Sequence, residues 1–183
     1  MRVIAGSARR LLLKAPQGLE TRPTSDMVKE TLFNILMPDL YDAVFLDLFA
    51  GSGAIGIEAL SRGAKRAVFV EKSKQALECI KYNLHTTHFE DCSTIMANDA
   101  ASALRILNSK ETFDILFMDP PYDNGYEKEM LSIIADSNLL SSDAIIVVEA
   151  LKSTDFSFVE DLGMTITKIK EYKNNKHVFI EKN

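Results

Sequence analysis

The sequence predicts an α/β protein whose mostly parallel sheet is covered by helices on both faces. Short apolar runs alternate with segments whose apolar residues recur at helical spacing, as in parallel strands joined by helices. A glycine-rich turn follows one of the apolar runs, and Asn174-Asn175 separates the last two runs as a hairpin turn would. With 183 residues and 46% hydrophobic content, the chain is expected to form one domain, residues 1–183.

The N-terminal residues 1–23 are predicted to be a basic arm ahead of a core at 24–183. Residues 2–5 and 9–13 predict a short hairpin that turns at Gly6-Ser7. Residues 1–22 carry a net charge of +4, whereas the whole chain carries −5. Because phosphate contacts need a local basic patch, an RNA partner is expected at the arm. A second cluster fits either a solvated hairpin edge or RNA contact, and consists of Lys168, Lys170, Lys173 and Lys176.

The core begins with a predicted helix. Thr24 or Ser25 can cap it, and Pro38 is expected to end it. Its apolar positions are Val28, Leu32, Ile35 and Leu36. The strands that follow are predicted at a run from Val44 and at 67–70, 94–97, 113–118, 144–149, 165–172 and 177–181. Further helices are predicted after the glycine turn, after Ser73, through Leu104 and Leu107, near 126–137 and near 154–162.

The most informative motif is Asp119-Pro120-Pro121-Tyr122, which directly follows the apolar run 113–118. Two prolines must end the strand, so they fix a carboxylate and a ring where ligands bind in an open α/β sheet. Asp119 and the Pro120 carbonyl can accept both hydrogens of an exocyclic amino group, while Tyr122 stacks on the base. The motif therefore predicts chemistry on a base amino group, although Asp-Pro-Pro alone also fits a rigid turn.

A second motif is the glycine turn with Gly51, Gly53 and Gly56, and Glu71 follows twenty positions after Gly51. This spacing fits a dinucleotide site, in which the acidic residue accepts hydrogen bonds from ribose hydroxyls. Asp47 argues against a pyrophosphate, because a carboxylate facing the ligand would repel it. A sulfonium and an ammonium would be attracted, which indicates S-adenosylmethionine. Asp99 can accept from the adenine amino group or cap the next helix.

Other features exclude several classes of protein. No apolar stretch approaches the roughly 20 residues that span a bilayer, and no signal core precedes the fold, so a cytoplasmic protein is expected. Cys79 and Cys92 lack metal or disulfide spacing, and His85 and His88 lack acidic or cysteine partners. No metal is expected.

Together the motifs resemble the RsmD-type 16S rRNA (guanine-N2) methyltransferases over nearly the whole chain. The matching segments are Arg2-Val3-Ile4-Ala5-Gly6, Thr21-Arg22-Pro23-Thr24-Ser25-Asp26, Leu32-Phe33-Asn34-Ile35-Leu36, Leu46 to Gly53, Glu58 to Ala64, Phe69-Val70-Glu71 and Asp119 to Tyr122. Many amino-group methyltransferases share the glycine turn and the Asp-Pro-Pro-Tyr motif, whereas the Thr-Arg-Pro-Thr block is specific to this family. Ala8, Met27 and Lys29 depart from the family pattern in the segment expected to face RNA.

The resemblance implies a Rossmann-like class I S-adenosylmethionine-dependent methyltransferase fold. Its sheet would have seven strands and a C-terminal antiparallel hairpin, preceded by a short N-terminal hairpin and helix. The implied reaction methylates the N2 amino group of guanosine 966 in 16S rRNA of the small ribosomal subunit, releases S-adenosylhomocysteine and needs no metal. A monomer is expected. The implied catalytic residues are Asp119, Pro120 and Tyr122; the cofactor-binding residues are Asp47, Phe49, Gly51, Ser52, Gly53, Glu71, Asp99 and Ala100; the RNA-binding residues are Arg2, Arg9, Arg10, Arg22 and Thr24.

Three alternatives remain at the level of sequence. The glycine spacing also fits a nicotinamide oxidoreductase, although no partner for hydride chemistry is evident. A non-catalytic RNA-binding module could keep the same fold. The nearest alternative is an adenine-N6 DNA or RNA methyltransferase, because the Asp-Pro-Pro-Tyr motif handles either amino group. Against the DNA enzyme, the chain shows no separate segment large enough to read a DNA sequence.

Overall fold

The computed structural model describes residues 1–16, 25–122 and 124–183. Within them, a seven-stranded sheet has the order β3-β2-β1-β4-β5-β7-β6. The strands are β1 Val44–Leu48, β2 Arg66–Val70, β3 Ser93–Met96, β4 Phe113–Met118, β5 Leu140–Leu151, β6 Met164–Glu171 and β7 Asn175–Lys182. The first five pair in parallel, and β7 lies antiparallel between β5 and β6. The predicted mixed sheet is therefore confirmed.

The described chain has five α-helices, which are α1 Asp26–Leu40, α2 Ala54–Ser61, α3 Lys74–Thr87, α4 Ala100–Leu107 and α5 Tyr126–Ala135. Helix α1 precedes β1, and the other four lie between strands. Three of them begin at a capping side chain, since Ser25, Ser73 and Asp99 each accept a hydrogen bond from the first helical turn. These caps set where the helices start, and thus where the preceding loops leave the sheet.

The two faces of the sheet bury separate apolar cores. Phe33, Phe45 and Phe69 belong to the core under α1, α2 and α3, which we call the α1–α3 face. Leu104 and Ile134 belong to the core under α4 and α5 on the opposite face. Because side chains alternate along each strand, neighbouring positions serve different cores. A polar side chain near a strand end can therefore be assigned to one face by its register.

The N-terminal arm packs onto α2 as a short hairpin. Arg2 and Leu12 form an antiparallel bridge, while Val3 and Leu13 are buried in the core of the α1–α3 face. Gly6 is required here, because a Cβ on it would lie 1.7 Å from the Ser61 carbonyl oxygen. The arm thus contributes buried side chains to the core and exposed side chains to the surface.

Two predicted elements differ from the structure. Helix α1 continues through Pro38 to Leu40, because the missing Pro38 N–H deprives only the exposed Asn34 carbonyl, and Leu40 is buried. Residues 154–162 were expected to be an α-helix but contain a 3-10 helix at Ser157–Leu162. Three residues per turn keep Phe156 and Val159 on the same buried side. No helix in the described ranges has the length and apolar character needed to cross a membrane.

Candidate active site

Acidic side chains follow one edge of the sheet, at the carboxyl ends of its parallel strands. Asp47 lies near the end of β1, Glu71 follows β2, Asp99 follows β3 and Asp119 follows β4. The register pairs Met118 with Val148, so that the next residue, Asp119, lies beside Glu149 of β5. The two sequence motifs therefore meet at the same edge, which is where open α/β sheets bind ligands.

The glycine turn between β1 and α2 leaves open space above its backbone. A Cβ on Gly51 would meet no heavy atom within 4 Å, and the Gly51 N–H donates to Glu71 Oε2 at 2.9 Å. A Cβ on Gly56 would instead lie 2.4 Å from the Phe69 ring. The turn is thus open toward solvent and tightly packed beneath, as the spacing of the glycines predicts.

Asp47 is a buried carboxylate, only 1% exposed. Its Oδ2 accepts a hydrogen bond from the Gly56 N–H at 2.9 Å. Burial raises the pKa of Asp47 to about 7, the Gly56 hydrogen bond opposes that change, and the charge of Glu71 adds to it. Burial removes the water that would stabilise a charged Asp47, so a cationic ligand beside it would stabilise the ionised carboxylate instead.

The remaining cofactor-binding candidates frame this edge. Glu71 Oε1 accepts from the backbone N–H groups of Lys72 and Ser73 at 2.9 and 2.8 Å. Asp99 is exposed and caps α4 through Ser102, whose hydrogen bonds lower the pKa of the Asp99 carboxyl. The other three candidates differ in exposure: Ala100 and Ser52 are buried, and Phe49 is half-buried with its ring centroid 5.8 Å from that of Tyr126. The capping role of Asp99 is observed; its adenine role stays a prediction.

Asp119 is half-buried and receives no hydrogen bond from the residues that the structure describes. Burial and the charges of Glu149 and Asp47, in that order, raise its pKa well above the ordinary carboxyl value. Pro120 behind it is buried, whereas the neighbouring Tyr122 is 38% exposed. The corner therefore presents an acceptor without a donor beside an accessible ring, which suits an amino-bearing base.

A buried polar cluster beside Asp119 was not predicted. Glu149, 4% exposed, accepts hydrogen bonds from Asn175 Nδ2 and, at 3.0 Å, from His177 Nε2. The Tyr172 hydroxyl lies 3.1 Å from His177 Nδ1. A carboxylate ending the predicted strand 144–149 was a signal for Glu149, by the same reasoning that selected Asp119. The other three residues carried no such signal, because the antiparallel pairing of β5 with β7 brings them together.

The arm residues expected to bind RNA are only partly described. Arg9 and Arg10 are exposed, and Arg2 pairs with Asp26 at 2.9 Å. An open cavity of about 310 Å³ is lined by Arg2, Val3, Ile4, Arg9, Arg10 and Glu30. Arg22 and Thr24 lie outside the described residues. Lys29 does not face RNA as expected: its side chain is 1% exposed and pairs with Glu58 at 3.2 Å.

The C-terminal lysines separate into two kinds. Lys176 Nζ donates to the carbonyls of Lys152 and Thr154 at 3.1 and 2.8 Å, so that its charge is turned toward the protein. Lys168 and Lys170 are exposed on β6 opposite Phe179 and His177 of β7. Directly paired residues share a face of the sheet. These two lysines therefore lie on the α1–α3 face, which also carries Glu149 and His177.

The His, Cys, Asp and Glu side chains of the described chain are the candidates for metal binding. No group of three or more His, Cys, Asp and Glu residues within it could hold a metal ion. His85 Nδ1 instead lies 2.7 Å from Glu90 Oε1 on the surface. Cys79 and Cys92 are free thiols.

Sequence and structural comparisons identify proteins that are similar to this chain. The family model "Conserved hypothetical protein 95" matches residues 1–181. The sequence is 42% identical to "Putative rRNA methyltransferase YlbH" of Bacillus subtilis, over 90% of this chain and 91% of that protein. It is 39% identical to "Ribosomal RNA small subunit methyltransferase D" of Haemophilus influenzae, over 83% and 79%. The solved structure of "Putative methyltransferase yhhF from Escherichia coli" matches with a TM-score of 0.88 and 33% identity, covering 100% and 97% of the two chains.

Proposed function

The chain belongs to the conserved hypothetical protein 95 family, and on this premise we propose that it methylates the N2 amino group of a guanosine in 16S rRNA. S-adenosylmethionine would be the methyl donor, and the small ribosomal subunit would carry the target, by resemblance guanosine 966. The two relatives named above as rRNA methyltransferases support the reaction class. The observation that carries the proposal is the half-buried carboxylate of Asp119, which receives no hydrogen bond from the described residues and lies at the same edge of the sheet as the open glycine turn.

The residues at the sheet edge fit S-adenosylmethionine. The space above Gly51 can receive a ligand. Burial and neighbouring carboxylates raise the pKa of both Asp47 and Asp119, so the ammonium and sulfonium charges of the cofactor would stabilise their ionised forms. Glu71 keeps lone pairs for ribose hydroxyls, and Asp99 with the Ala100 N–H would meet the adenine edge. Phe49, Ser52 and Gly53 complete the proposed cradle. When bound, the cofactor supplies an electrophilic methyl group on a positively charged sulfur.

Asp119 and the Pro120 carbonyl would hold the two hydrogens of the guanine amino group. This orientation turns the nitrogen lone pair out of conjugation with the ring and toward the glycine turn. As the nitrogen gains a methyl group, positive charge grows on it, and the Asp119 carboxylate stabilises that charge. The extra proton then leaves the nitrogen. A carboxyl group whose pKa lies above the ordinary value is better suited to accept this proton than an exposed one.

RNA would reach this corner across the arm and the neighbouring sheet face. Residues 1–23 would form the RNA-facing arm and 24–183 the catalytic core, although Val3 and Leu13 of the arm are buried in that core. Arg9 and Arg10 are exposed at the open cavity and can contact phosphates, as can Arg2. Tyr122 would stack on the flipped base.

The test incubates the protein with methyl-labelled cofactor and three substrates in parallel: undermethylated small subunits, naked rRNA and DNA. Nucleoside analysis should find labelled N2-methylguanosine from the subunits or their rRNA. Labelled N6-methyladenine would transfer the assignment to an adenine-N6 enzyme, and no label in any nucleic acid would contradict the proposal. Asp119→Asn is the matched control, because it keeps the size of the side chain and removes its charge.

A further inference from the structure

A buried asparagine of α3 links the N-terminal arm to the glycine turn. Asn83 is fully buried, and its amide makes three hydrogen bonds to the backbone of two other segments. Its Oδ1 accepts from the Lys14 N–H at 2.7 Å, and its Nδ2 donates to the Lys14 and Ser52 carbonyls, each at 2.9 Å. The proposed chemistry gives Asn83 no role, although it contacts both the arm expected to face RNA and the turn expected to hold the cofactor.

The three hydrogen bonds fix the orientation of the Asn83 amide. Its nitrogen carries two hydrogens, one for each carbonyl, and its oxygen faces the Lys14 N–H. Exchanging the nitrogen and the oxygen would place the oxygen against two carbonyls and the nitrogen against an N–H, so a single orientation satisfies all three partners. The arm and the turn are therefore held by one buried group with a defined geometry.

The arm contacts the same turn at a second point. The Ser52 hydroxyl donates to the Met1 sulfur at 3.5 Å, and the Met1 carbonyl accepts from the Leu13 N–H at 3.0 Å. Both sides of the arm hairpin are thus connected to Ser52, Met1 directly and Lys14 through Asn83. Because Ser52 is itself buried, a change in the turn must be accommodated by the arm that packs against it.

The bond to Ser52 restrains the backbone of the glycine turn. The Ser52 carbonyl belongs to the peptide that joins it to Gly53, whose N–H donates to the Ala50 carbonyl at 2.7 Å. Asn83 therefore sets the orientation of this peptide, next to the open space above Gly51. A ligand that holds the turn in one conformation removes freedom that the arm would otherwise lose when it binds RNA. By linkage, RNA on the arm strengthens cofactor binding by the same factor.

We propose that Asn83 is a positioning residue that couples cofactor binding at the glycine turn to RNA binding at the arm. The inference rests on the proposed function, since that function supplies the two ligands. It adds that cofactor and RNA each bind more tightly in the presence of the other. The protein itself transmits this effect through the Asn83 amide, in addition to the contact between target base and cofactor.

Filter binding of a 16S rRNA fragment, with and without saturating S-adenosylhomocysteine, measures the coupling without turnover. The wild-type protein should bind the RNA about five- to tenfold more tightly with S-adenosylhomocysteine, and Asn83→Ala should reduce this ratio to about twofold or less. Because the ratio compares two measurements on one protein, a loss of stability alone does not change it. The matched control is Thr87→Val, one turn later, which removes a buried hydroxyl bonded to carbonyls of α3 itself and should keep the wild-type ratio.

Hydrogen exchange of the wild-type protein tests the same link without RNA and without a variant that could misfold. The Lys14 N–H, which donates to Asn83, should exchange at least about threefold more slowly when S-adenosylhomocysteine is bound. Unchanged exchange in a protein that binds this compound, or a wild-type ratio in Asn83→Ala, would overturn the inference and leave the proposed function intact. Slowed exchange in a protein that methylates no nucleic acid would support the coupling and reject the proposed function. Failure to bind S-adenosylhomocysteine would contradict both.

Discussion

Two carboxylates, the buried Glu58 on α2 and the half-buried Asp119 after β4, have opposite surroundings. Glu58 accepts four donors: the N–H groups of Ile4 and Ala5, Lys29 Nζ and Arg62 Nε. Asp119 accepts none from the described residues and faces two further carboxylates. The difference shows how one chemical group serves two purposes: a satisfied carboxylate fixes the arm to the core, while an unsatisfied one is poised for a ligand.

The largest expected effect is on stability, from Glu58→Gln. The change leaves the charges of Lys29 and Arg62 buried without their partner, which should lower the free energy of unfolding by about 3–5 kcal/mol. Burial already lowers the pKa of Lys29, and the Glu58 charge opposes that change. Denaturant unfolding gives the measurement, with the exposed Glu78→Gln on α3 as control. A loss no larger than that of the control would mean that Glu58 does not hold the arm.

Asp119→Asn should lower activity without lowering stability, whereas Glu58→Gln should mainly lower stability. Methyl transfer should fall by about 100-fold or more, equivalent to about 2.7 kcal/mol, because the growing charge on nitrogen loses its carboxylate. The free energy of unfolding should stay the same or rise, since the repulsion from Glu149 and Asp47 is relieved. Single-turnover methyl transfer and denaturant unfolding measure the two properties. A variant that keeps more than about a tenth of the wild-type rate would remove Asp119 from the mechanism.

Asp47 is expected to make cofactor affinity depend on pH, and this effect is smaller than that of Asp119→Asn. Because its pKa is about 7 in the folded protein, the free carboxyl is largely protonated at pH 6. A cationic cofactor favours the ionised form, so its affinity should rise about five- to tenfold from pH 6 to 7.5. Without cofactor, stability should fall over roughly pH 4 to 7 as pH rises, since the unfolded chain releases this proton first.

Calorimetry at several pH values, compared with Asp47→Asn, isolates the contribution of Asp47. The comparison is needed because Asp119 titrates in the same site and the apparent midpoint belongs to both groups. The variant should lose most of the rise in affinity. An unchanged pH dependence would show that Asp47 does not meet the positive charge of the cofactor.

The sequence predicted the contacts that are local along the chain. Ser25 and Asp99 cap their helices as their positions predicted, and the family resemblance is confirmed by a relative named small subunit methyltransferase D. The sequence did not predict contacts between segments that are far apart along the chain. Glu149 contacts His177 because β5 pairs with β7. Lys29 of α1 is buried because its side chain pairs with Glu58 of α2. Periodicity locates strands and helices, but it carries no information on which distant partner neutralises a buried charge.

Surface lysines show the same difference between a charge with partners and a charge that is free for a ligand, and the expected effect on RNA binding is the smallest of those predicted. Lys176 donates hydrogen bonds to two backbone carbonyls, whereas Lys168 and Lys170 are exposed on the face that carries Glu149 and His177.

If rRNA passes over this face, changing both Lys168 and Lys170 to Gln should weaken RNA binding. The slope of log affinity against log salt should become shallower by about 1.4, or about 0.7 per phosphate contact. Lys176→Gln should leave that slope unchanged, because its charge already has partners. Filter binding of a 16S rRNA fragment from 50 to 200 mM salt makes the comparison; equal slopes for all three proteins would assign these lysines to protecting the edge strand from pairing.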